Sequence, residues 1–127
     1  NPGGVRIGTA ELYRVVEQCP EVLECLAVEQ RLAPDESRVV LFVRLRDGHA
    51  LDEPLRERLR RDIRAALSPH HVPRKIVAVA DLPRTISNKI SEIAVREVIQ
   101  GRPVKNTDAL ANPGALELFR DLAELRD

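Results

Sequence analysis

The chain has 127 residues, and its 20 basic side chains balance its 20 acidic ones, so the formal net charge is zero. This neutrality argues against nucleic acid as the main partner, because phosphate binding normally rests on a basic excess, and one tyrosine with two phenylalanines is too few aromatics to stack bases. The hydrophobic content of 43% with 31% charged residues is typical of one globular domain, and no apolar run approaches the roughly 20 residues that a membrane span needs.

The first half of the chain predicts a short strand, a helix and two antiparallel strands. Thr9 is a typical helix N-cap, and the helical spacing of apolar residues that follows it ends at Pro20. The second of the two longer strands is apolar on both of its sides, which is typical of a central strand covered on both faces. The short strand is expected over residues 5–7, the longer strands over residues 22–28 and 38–46, and the turn between them over residues 31–36.

The second half predicts a helix, a third strand, a short helix and a C-terminal helix. We expect the last helix to pack on its own domain, with docking on another domain as the alternative. The first of these helices has a leucine or isoleucine at every fourth position over residues 52–67, and the strand covers residues 75–79. The short helix is indicated by Ile90, Ile93, Ala94, Glu97 and Val98, and the last helix has an apolar face of Ala115, Leu118, Phe119, Leu122 and Leu125. The expected fold class is therefore α+β: a small, mostly antiparallel sheet flanked by helices, with a C-terminal helical extension.

The cysteines and histidines predict no metal or redox centre. Cys19 and Cys25 match neither the spacing of a zinc site nor that of a redox pair, so we expect two reduced thiols. His70 and His71 are adjacent in a proline-bounded loop and have no further ligands nearby in sequence. Because nothing at the start resembles a signal peptide, the expected location is cytoplasmic. The first residue is not methionine, and we therefore expect the chain to be a piece of a longer protein.

Lys89 is the candidate functional residue that the composition singles out. The chain uses arginine almost throughout and has lysine only at positions 75, 89 and 105. An ammonium is a compact point charge where a guanidinium is a broad fork, and Lys89 stands on a polar loop just before a helix. The alternative interpretation is an ordinary solvated loop lysine.

Two segments resemble the signatures of the adenylate-forming acyl-CoA synthetases. Residues 4–12 read GVRIGTAEL, which is similar to the glycine–arginine–isoleucine–x–x–x–glutamate signature that opens the C-terminal lid domain of that family. Residues 82–89 read LPRTISNK, which resembles the closing signature, proline–basic–threonine–x–serine–glycine–lysine. The tail over residues 101–127 is similar to the tail of those family members that activate acetoacetate. The spacing of the two signatures and the order of predicted elements agree with such a lid.

The resemblance implies a domain assignment and a reaction. Residues 1–127 would form a C-terminal lid domain, with a lid core over residues 1–100 and the tail over residues 101–127. The N-terminal adenylation domain would be the main partner and is absent from this chain. The complete enzyme would join acetoacetate to ATP, giving an acyl-adenylate and pyrophosphate, and would then pass the acyl group to CoA with release of AMP. Mg²⁺ would accompany ATP outside this segment, and the segment alone is expected to be inactive.

The resemblance also implies roles for five residues. Lys89 would be the catalytic residue that neutralises charge as the carboxylate attacks the α-phosphate. Gly3 and Gly4 would line the pantetheine channel of CoA, where an absent side chain allows close approach. Arg6 would face the nucleotide or CoA, and Arg64 would bind the CoA 3′-phosphate. A solvated helix arginine remains the alternative for Arg64, since several arginines share its helix.

One departure from the closing signature concerns Asn88, which stands where the family has glycine. Asparagine enters the left-handed backbone region more readily than most residues, so the turn is expected to survive. Lysines of this motif are reversibly acetylated in related synthetases, which implies Lys89 as the acetylation site and a protein lysine acetyltransferase and deacetylase as partners. The alternatives to the whole assignment are the lid of another short-chain acyl-CoA synthetase and a non-catalytic α+β interaction module.

Overall fold

A three-stranded mixed sheet organises the part of the chain that the computed structural model describes, which comprises residues 9–104, 107–120, 122 and 125. The middle strand pairs antiparallel with the first and parallel with the third, so it is central, as the sequence predicted. The strands are β1 (Val22–Ala33), β2 (Glu36–Leu45) and β3 (Lys75–Ala78). The strand expected over residues 5–7 lies outside the described residues.

The hairpin between β1 and β2 is longer than the sequence predicted. The pairing continues to Ala33 and Glu36, which leaves only Pro34 and Asp35 in the turn. The expected turn over residues 31–36 was therefore too wide. Apolar alternation fades at this end of the hairpin, but backbone pairing does not require it, and two polar side chains, Gln30 and Arg38, are buried there.

Three α-helices flank the sheet, and a side chain caps the start of two of them. Asp52 caps α2 by accepting a hydrogen bond from the Leu55 backbone N–H at 3.0 Å, and Ser91 caps α3 in the same way. Gly101 follows α3 with φ at 75°, the left-handed conformation that commonly terminates a helix. The helices are α1 (Thr9–Glu17), α2 (Glu53–Ala66) and α3 (Glu92–Ile99).

The sheet separates two hydrophobic cores, and β2 contributes to both. Val40 and Phe42 point into the core under α3 and the tail, whereas Leu41 and Val43 point into the core under α1 and α2. All four side chains are fully buried, which confirms the prediction of a central strand covered on both faces. Burial of each such side chain contributes about 1.5–3 kcal/mol relative to exposure.

The sequence misplaced one residue of the short helix. Ile93 was expected on its apolar face but is 65% exposed, whereas Val95 is fully buried. The helix begins at Glu92 rather than near Ile90, because Ser91 supplies the N-cap. This start turns Ala94, Val95 and Val98 toward the sheet.

The tail does not form the predicted amphipathic α-helix. Residues Pro113–Phe119 form a 3₁₀ helix, in which side chains three positions apart lie on the same side. The inward residues of this helix are Ala115, Leu116 and Phe119, while Leu118 is 37% exposed. Leu125, which follows the helix, is also buried, so Leu118 is the position that the predicted apolar face had wrong. The Phe119 ring meets Phe42 edge-to-face with centroids 4.9 Å apart, so the expectation that the tail packs on its own domain is confirmed.

Cys19 and Cys25 are buried in the core under α1 and α2 and form no disulfide. Burial raises the pKa of the Cys25 thiol to about 12, so its reactive thiolate is scarce at neutral pH. Within the described residues, no helix is long and apolar enough to cross a membrane.

Candidate functional site

Lys89 follows a three-residue turn at the tip of a small hairpin that projects beyond β3. The Thr85 backbone N–H donates to the Lys89 carbonyl at 2.7 Å, and the Asn88 N–H donates to the Thr85 carbonyl at 2.8 Å. The Thr85 hydroxyl accepts the Lys89 N–H at 3.1 Å. Arg84 and Ile90 form an antiparallel bridge below the turn. The backbone on both sides of Lys89 is therefore fixed by hydrogen bonds.

Asn88 adopts the left-handed conformation, with φ at 67°. A three-residue hairpin loop needs this conformation at its last position, where the usual solution is glycine. The turn survives the replacement of glycine because asparagine tolerates positive φ better than most residues do. The sequence-based expectation for this position agrees with the geometry.

The positive φ of Asn88 predicts how substitutions at this position change the stability of the domain. Replacement by alanine should lower the free energy of unfolding by about 1 kcal/mol, because alanine pays the steric cost of positive φ. Replacement by glycine should change the free energy of unfolding by less than about 0.5 kcal/mol. Glycine adopts positive φ without steric cost, but it also raises the conformational entropy of the unfolded chain, and the two effects oppose each other. Urea unfolding measures both, with Ser87→Ala as the control from the same turn. Equal stabilities for the alanine and glycine variants would show that the conformation of residue 88 is unimportant.

Arg84 anchors the hairpin to the sheet through an ion-pair network. Its guanidinium binds the carboxylate of Glu24 on β1, whose side chain is only 12% exposed. The other oxygen of Glu24 accepts from Arg44 at 2.9 Å, and Arg44 also lies 3.6 Å from Asp81. The basic residue of the closing signature thus has its charge engaged within the domain.

The tail pairs with the other edge of the hairpin. Thr85 and Leu110 form an antiparallel bridge, and the Ile86 N–H donates to the Ala109 carbonyl at 2.9 Å. The Ala111 N–H donates to the Arg84 carbonyl at 2.8 Å. Residues 84–86 therefore lie between residue 90 on one side and residues 109–111 on the other.

The Lys89 side chain is exposed, and among the described residues it forms no ion pair or side-chain hydrogen bond. Ile86 and Ile93, close to it in the chain, are 73% and 65% exposed. They are the most exposed of the large hydrophobic side chains in the described ranges. A cavity of about 400 Å³ opens beside the hairpin and is lined by, among others, Thr85, Ser91 and Glu97. Two exposed isoleucines therefore flank the lysine in the chain.

Tyr13 joins the two helical layers near the start of α3. Its hydroxyl donates to a Glu92 carboxylate oxygen at 2.7 Å and accepts the Ala27 N–H of β1 at 3.1 Å. Burial, with a further contribution from Glu92, raises the pKa of Tyr13 above its usual value. The phenol therefore stays protonated and keeps donating to the first turn of the helix that follows Lys89.

Arg64 lies in the last turn of α2, on the side of the sheet opposite the tail, and its side chain is exposed. Its helix neighbours Arg56, Arg58 and Arg60 each bind a glutamate. Across the described part of the chain, no ion pair involves Arg64. The structure therefore does not bring Arg64 and Lys89 together.

The other residues implicated by the sequence, Gly3, Gly4 and Arg6, lie outside the described residues, as does Lys105. No group of three or more histidine, cysteine, aspartate or glutamate side chains in the described ranges could hold a metal ion.

Sequence reasoning missed two residues that hold the hairpin, Asn112 and Glu24. The Asn112-Pro113 pair is a recognisable turn signal, but the partners of the Asn112 side chain lie about thirty residues earlier in the chain. Glu24 occupies an ordinary strand position, and nothing local to it indicates two arginine partners.

Comparison with known families identifies the class of domain. The sequence profile of the AMP-binding enzyme C-terminal domain matches residues 12–89. Acetoacetyl-coenzyme A synthetase of Rhizobium meliloti (strain 1021) is 60% identical over 126 residues, covering 99% of this chain and 19% of the relative. Acetoacetyl-CoA synthetase of Mus musculus is 42% identical over 127 residues, covering all of this chain and 19% of the relative. The chain thus spans about a fifth of the length of the curated relatives it matches.

Solved structures give the same result. Acetoacetyl-CoA synthetase from Streptomyces lividans superposes with a TM-score of 0.82 at 35% identity, covering 97% of this chain and 19% of that one. An acyl-CoA synthetase from Brucella canis superposes with a TM-score of 0.68 at 33% identity, covering 74% of this chain and 17% of that one. The similarity to the first includes nearly the whole tail.

Proposed function

Because the chain belongs to the AMP-binding enzyme C-terminal domain family, we propose that it is the mobile C-terminal domain of an ATP-dependent acetoacetate–CoA ligase. The observation that carries the substrate assignment is the identity of 42–60% along essentially the whole chain to proteins named acetoacetyl-CoA synthetases. The tail, which lies beyond the matched family profile, is included in that similarity.

The reaction proceeds in two steps. An acetoacetate carboxylate oxygen attacks the α-phosphorus of ATP, and the bond to the leaving pyrophosphate breaks. The CoA sulfur, as a thiolate, then attacks the acyl carbon, and AMP leaves. The chain supplies Lys89 to the first step, where its ammonium offsets negative charge between carboxylate and phosphate. ATP, its Mg²⁺ and acetoacetate are held mainly by the N-terminal domain.

The two layers of the domain serve different steps. Lys89 belongs to the layer formed by α3 and the tail, whereas Arg64 belongs to the α1–α2 layer on the opposite face of the sheet. One orientation of the domain cannot present both faces to one active site. Rotation after adenylation therefore withdraws Lys89 and brings Arg64 toward CoA. The CoA-channel roles proposed for Gly3, Gly4 and Arg6 rest on the resemblance of their segment to the family signature.

The surface around Lys89 is suited to dock on the N-terminal domain during adenylation. Ile86 and Ile93 expose apolar area that a domain acting alone would normally cover. They lie three residues before and four residues after Lys89 in the chain, so docking of this segment would exclude water while delivering the lysine charge. Water exclusion strengthens the electrostatic effect of the lysine.

Lys89 is also the proposed site of regulatory acetylation. Its side chain is exposed, whereas Lys75 is half-buried at the start of β3. Acetylation removes the charge and would stop adenylation while sparing thioester formation. Mass spectrometry after treatment with a protein lysine acetyltransferase tests this, and modification of Lys75 with Lys89 untouched would refute it.

A chimera tests the proposed function. In it, this chain replaces the matching 126-residue segment of the Rhizobium meliloti relative. Formation of acyl-CoA is then measured with acetoacetate, acetate, propionate and butyrate in the presence of ATP and CoA. We expect thioester formation with acetoacetate at a rate within about tenfold of the parent enzyme. The overall reaction needs both half-reactions, so this rate requires both faces of the domain to fit the large domain.

Two results would overturn the proposal. A folded chimera with no ATP-dependent thioester formation would indicate a non-catalytic module. The natural full-length protein that contains this chain provides the second result. If its large domain prefers another short acid, the lid assignment stands but the substrate is not acetoacetate.

A further inference from the structure

We propose that Asn112 is a positioning residue for adenylation: its side-chain amide fixes the base of the hairpin that carries Lys89. Its effect depends on the role proposed above for Lys89, since Asn112 acts only through that lysine.

The Asn112 side chain directs three hydrogen bonds to one short segment. Its Oδ1 accepts the Arg84 backbone N–H at 2.7 Å. Its Nδ2 donates to the Leu82 carbonyl at 2.9 Å and to an Asp81 carboxylate oxygen at 3.1 Å. An asparagine amide offers two N–H donors and an oxygen with two lone pairs, and here both donors and one lone pair are used. Asn112 precedes a 3₁₀ helix but does not cap it, so its side chain is committed to residues 81–84.

The segment held by Asn112 leads directly into the Lys89 hairpin. Arg84 is held at three points: its N–H by Asn112, its carbonyl by the Ala111 N–H, and its guanidinium by Glu24. The next residue, Thr85, makes the two hydrogen bonds that fix the backbone of Lys89. Asn112 therefore holds Arg84, the residue next to the one that is hydrogen-bonded to the backbone of Lys89.

Positioning matters here because a lysine stem has four rotatable bonds and contributes charge only at its tip. A displacement of about 1 Å at a reacting centre can cost on the order of 10²-fold in rate. Without the Asn112 amide, the Arg84 N–H and Leu82 carbonyl lose their partner, and this side of the hairpin loosens. Thioester formation does not use Lys89, so it should be indifferent to this change.

The hydrogen bonds of Asn112 come from the tail, a segment that lies beyond the part of the chain matched by the family profile. The matched family profile ends at Lys89, whereas Asn112 lies 23 residues further on. The tail is thus more than an appendage on the sheet, because its residues 109–112 complete the structure around the catalytic loop.

The test uses the chimera defined above and measures the two half-reactions separately. Adenylation is followed by exchange of labelled pyrophosphate into ATP, and thioester formation is followed from supplied acetoacetyl-adenylate and CoA. Asn112→Ala should slow adenylation about tenfold and change thioester formation by less than about twofold. The control is Glu117→Ala in the same tail, which removes only an exposed ion pair with Arg120 and should change neither rate.

A double variant separates positioning from general damage. In the Lys89→Ala background, Asn112→Ala should cause no further loss of adenylation beyond about twofold, since residues acting as one unit are not additive. Asn112→Asp keeps the acceptor for the Arg84 N–H but loses both donors. If the alanine variant does not fold, this variant replaces it and should likewise slow adenylation while leaving thioester formation unchanged. Equal slowing of both half-reactions, or further loss in the Lys89→Ala background, would overturn the role of Asn112.

The outcomes also distinguish this role from the proposed function. If Lys89→Ala leaves adenylation unchanged, the function proposed for Lys89 fails. If Lys89→Ala is slow and Asn112→Ala adenylates normally, only the positioning role fails.

Discussion

Replacing Lys89 with alanine should slow acyl-adenylate formation by about 10²–10³-fold, the usual cost of removing one preorganised electrostatic contact. The ammonium is exposed, and in the described residues it has no carboxylate partner that would have to be broken before it reaches a substrate. The backbone beneath it is fixed by Thr85 and by the left-handed turn at Asn88. Pyrophosphate exchange in the chimera measures this step directly.

Thioester formation from supplied acyl-adenylate should change by less than about threefold in the same variant, because the step proposed for the lysine precedes it. Lys89→Gln, which removes the charge as acetylation does, should match alanine. Lys89→Arg should retain part of the activity, since it keeps the charge but not the compact ammonium. Lys75→Gln is the matched control and should adenylate normally. A comparable loss in Lys75→Gln, or loss of both half-reactions in Lys89→Ala, would contradict the role assigned to Lys89.

Replacing Phe119 with alanine should lower the free energy of unfolding by about 3–5 kcal/mol, as for other large aromatic side chains in cores. Phe119 is 1% exposed, and its ring packs edge-to-face on Phe42 of the central strand. The variant leaves a cavity and also removes the main anchor of the tail. Urea unfolding of the chain, followed by circular dichroism, measures the change.

The neighbouring Leu118 provides the control for this prediction. Its side chain is 37% exposed, so Leu118→Ala should cost less than about 1 kcal/mol. Leu116→Ala, at a buried position, should cost about 2–5 kcal/mol. If Leu118→Ala instead costs more than Leu116→Ala, the tail forms the α-helical face that the sequence pattern predicted and the 3₁₀ helix is wrong.

The sheet and its first two helices were predictable because their signals are local. The strand β2 alternates between two sets of apolar residues, and such a pattern has one reasonable interpretation, a strand buried on both faces. The start of α2 follows from Asp52, whose side chain caps the helix that it precedes. The length of β1 was missed because its last residues pair through the backbone without apolar side chains.

The tail was not predictable because α and 3₁₀ helices differ by less than one residue per turn. Over seven residues this moves the buried position only from Leu118 to Leu116. Packing against Phe42, 77 positions away in the chain, decides the outcome. Sequence periodicity contains no information about that partner.

The sequence indicated the candidate residue Lys89 but not the residues that hold its hairpin in place. The resemblance of residues 82–89 to a family signature singled out Lys89, and the glycine of that signature explains the positive φ at Asn88. The hydrogen bonds of Asn112 and the ion pair of Arg84 join segments about 30 and 60 residues apart. Only the folded chain brings those partners together.

The position of the Lys89 ammonium in the adenylating state tests its proposed role without relying on rates. A crystal structure of the chimera with acetoacetate and a non-hydrolysable ATP analogue gives the distance from Lys89 Nζ to the nearest α-phosphate oxygen. The role proposed for Lys89 requires this distance to be that of a charge-assisted hydrogen bond, about 2.7–2.9 Å. A separation beyond about 6 Å, with a different cation beside the α-phosphate, would contradict it.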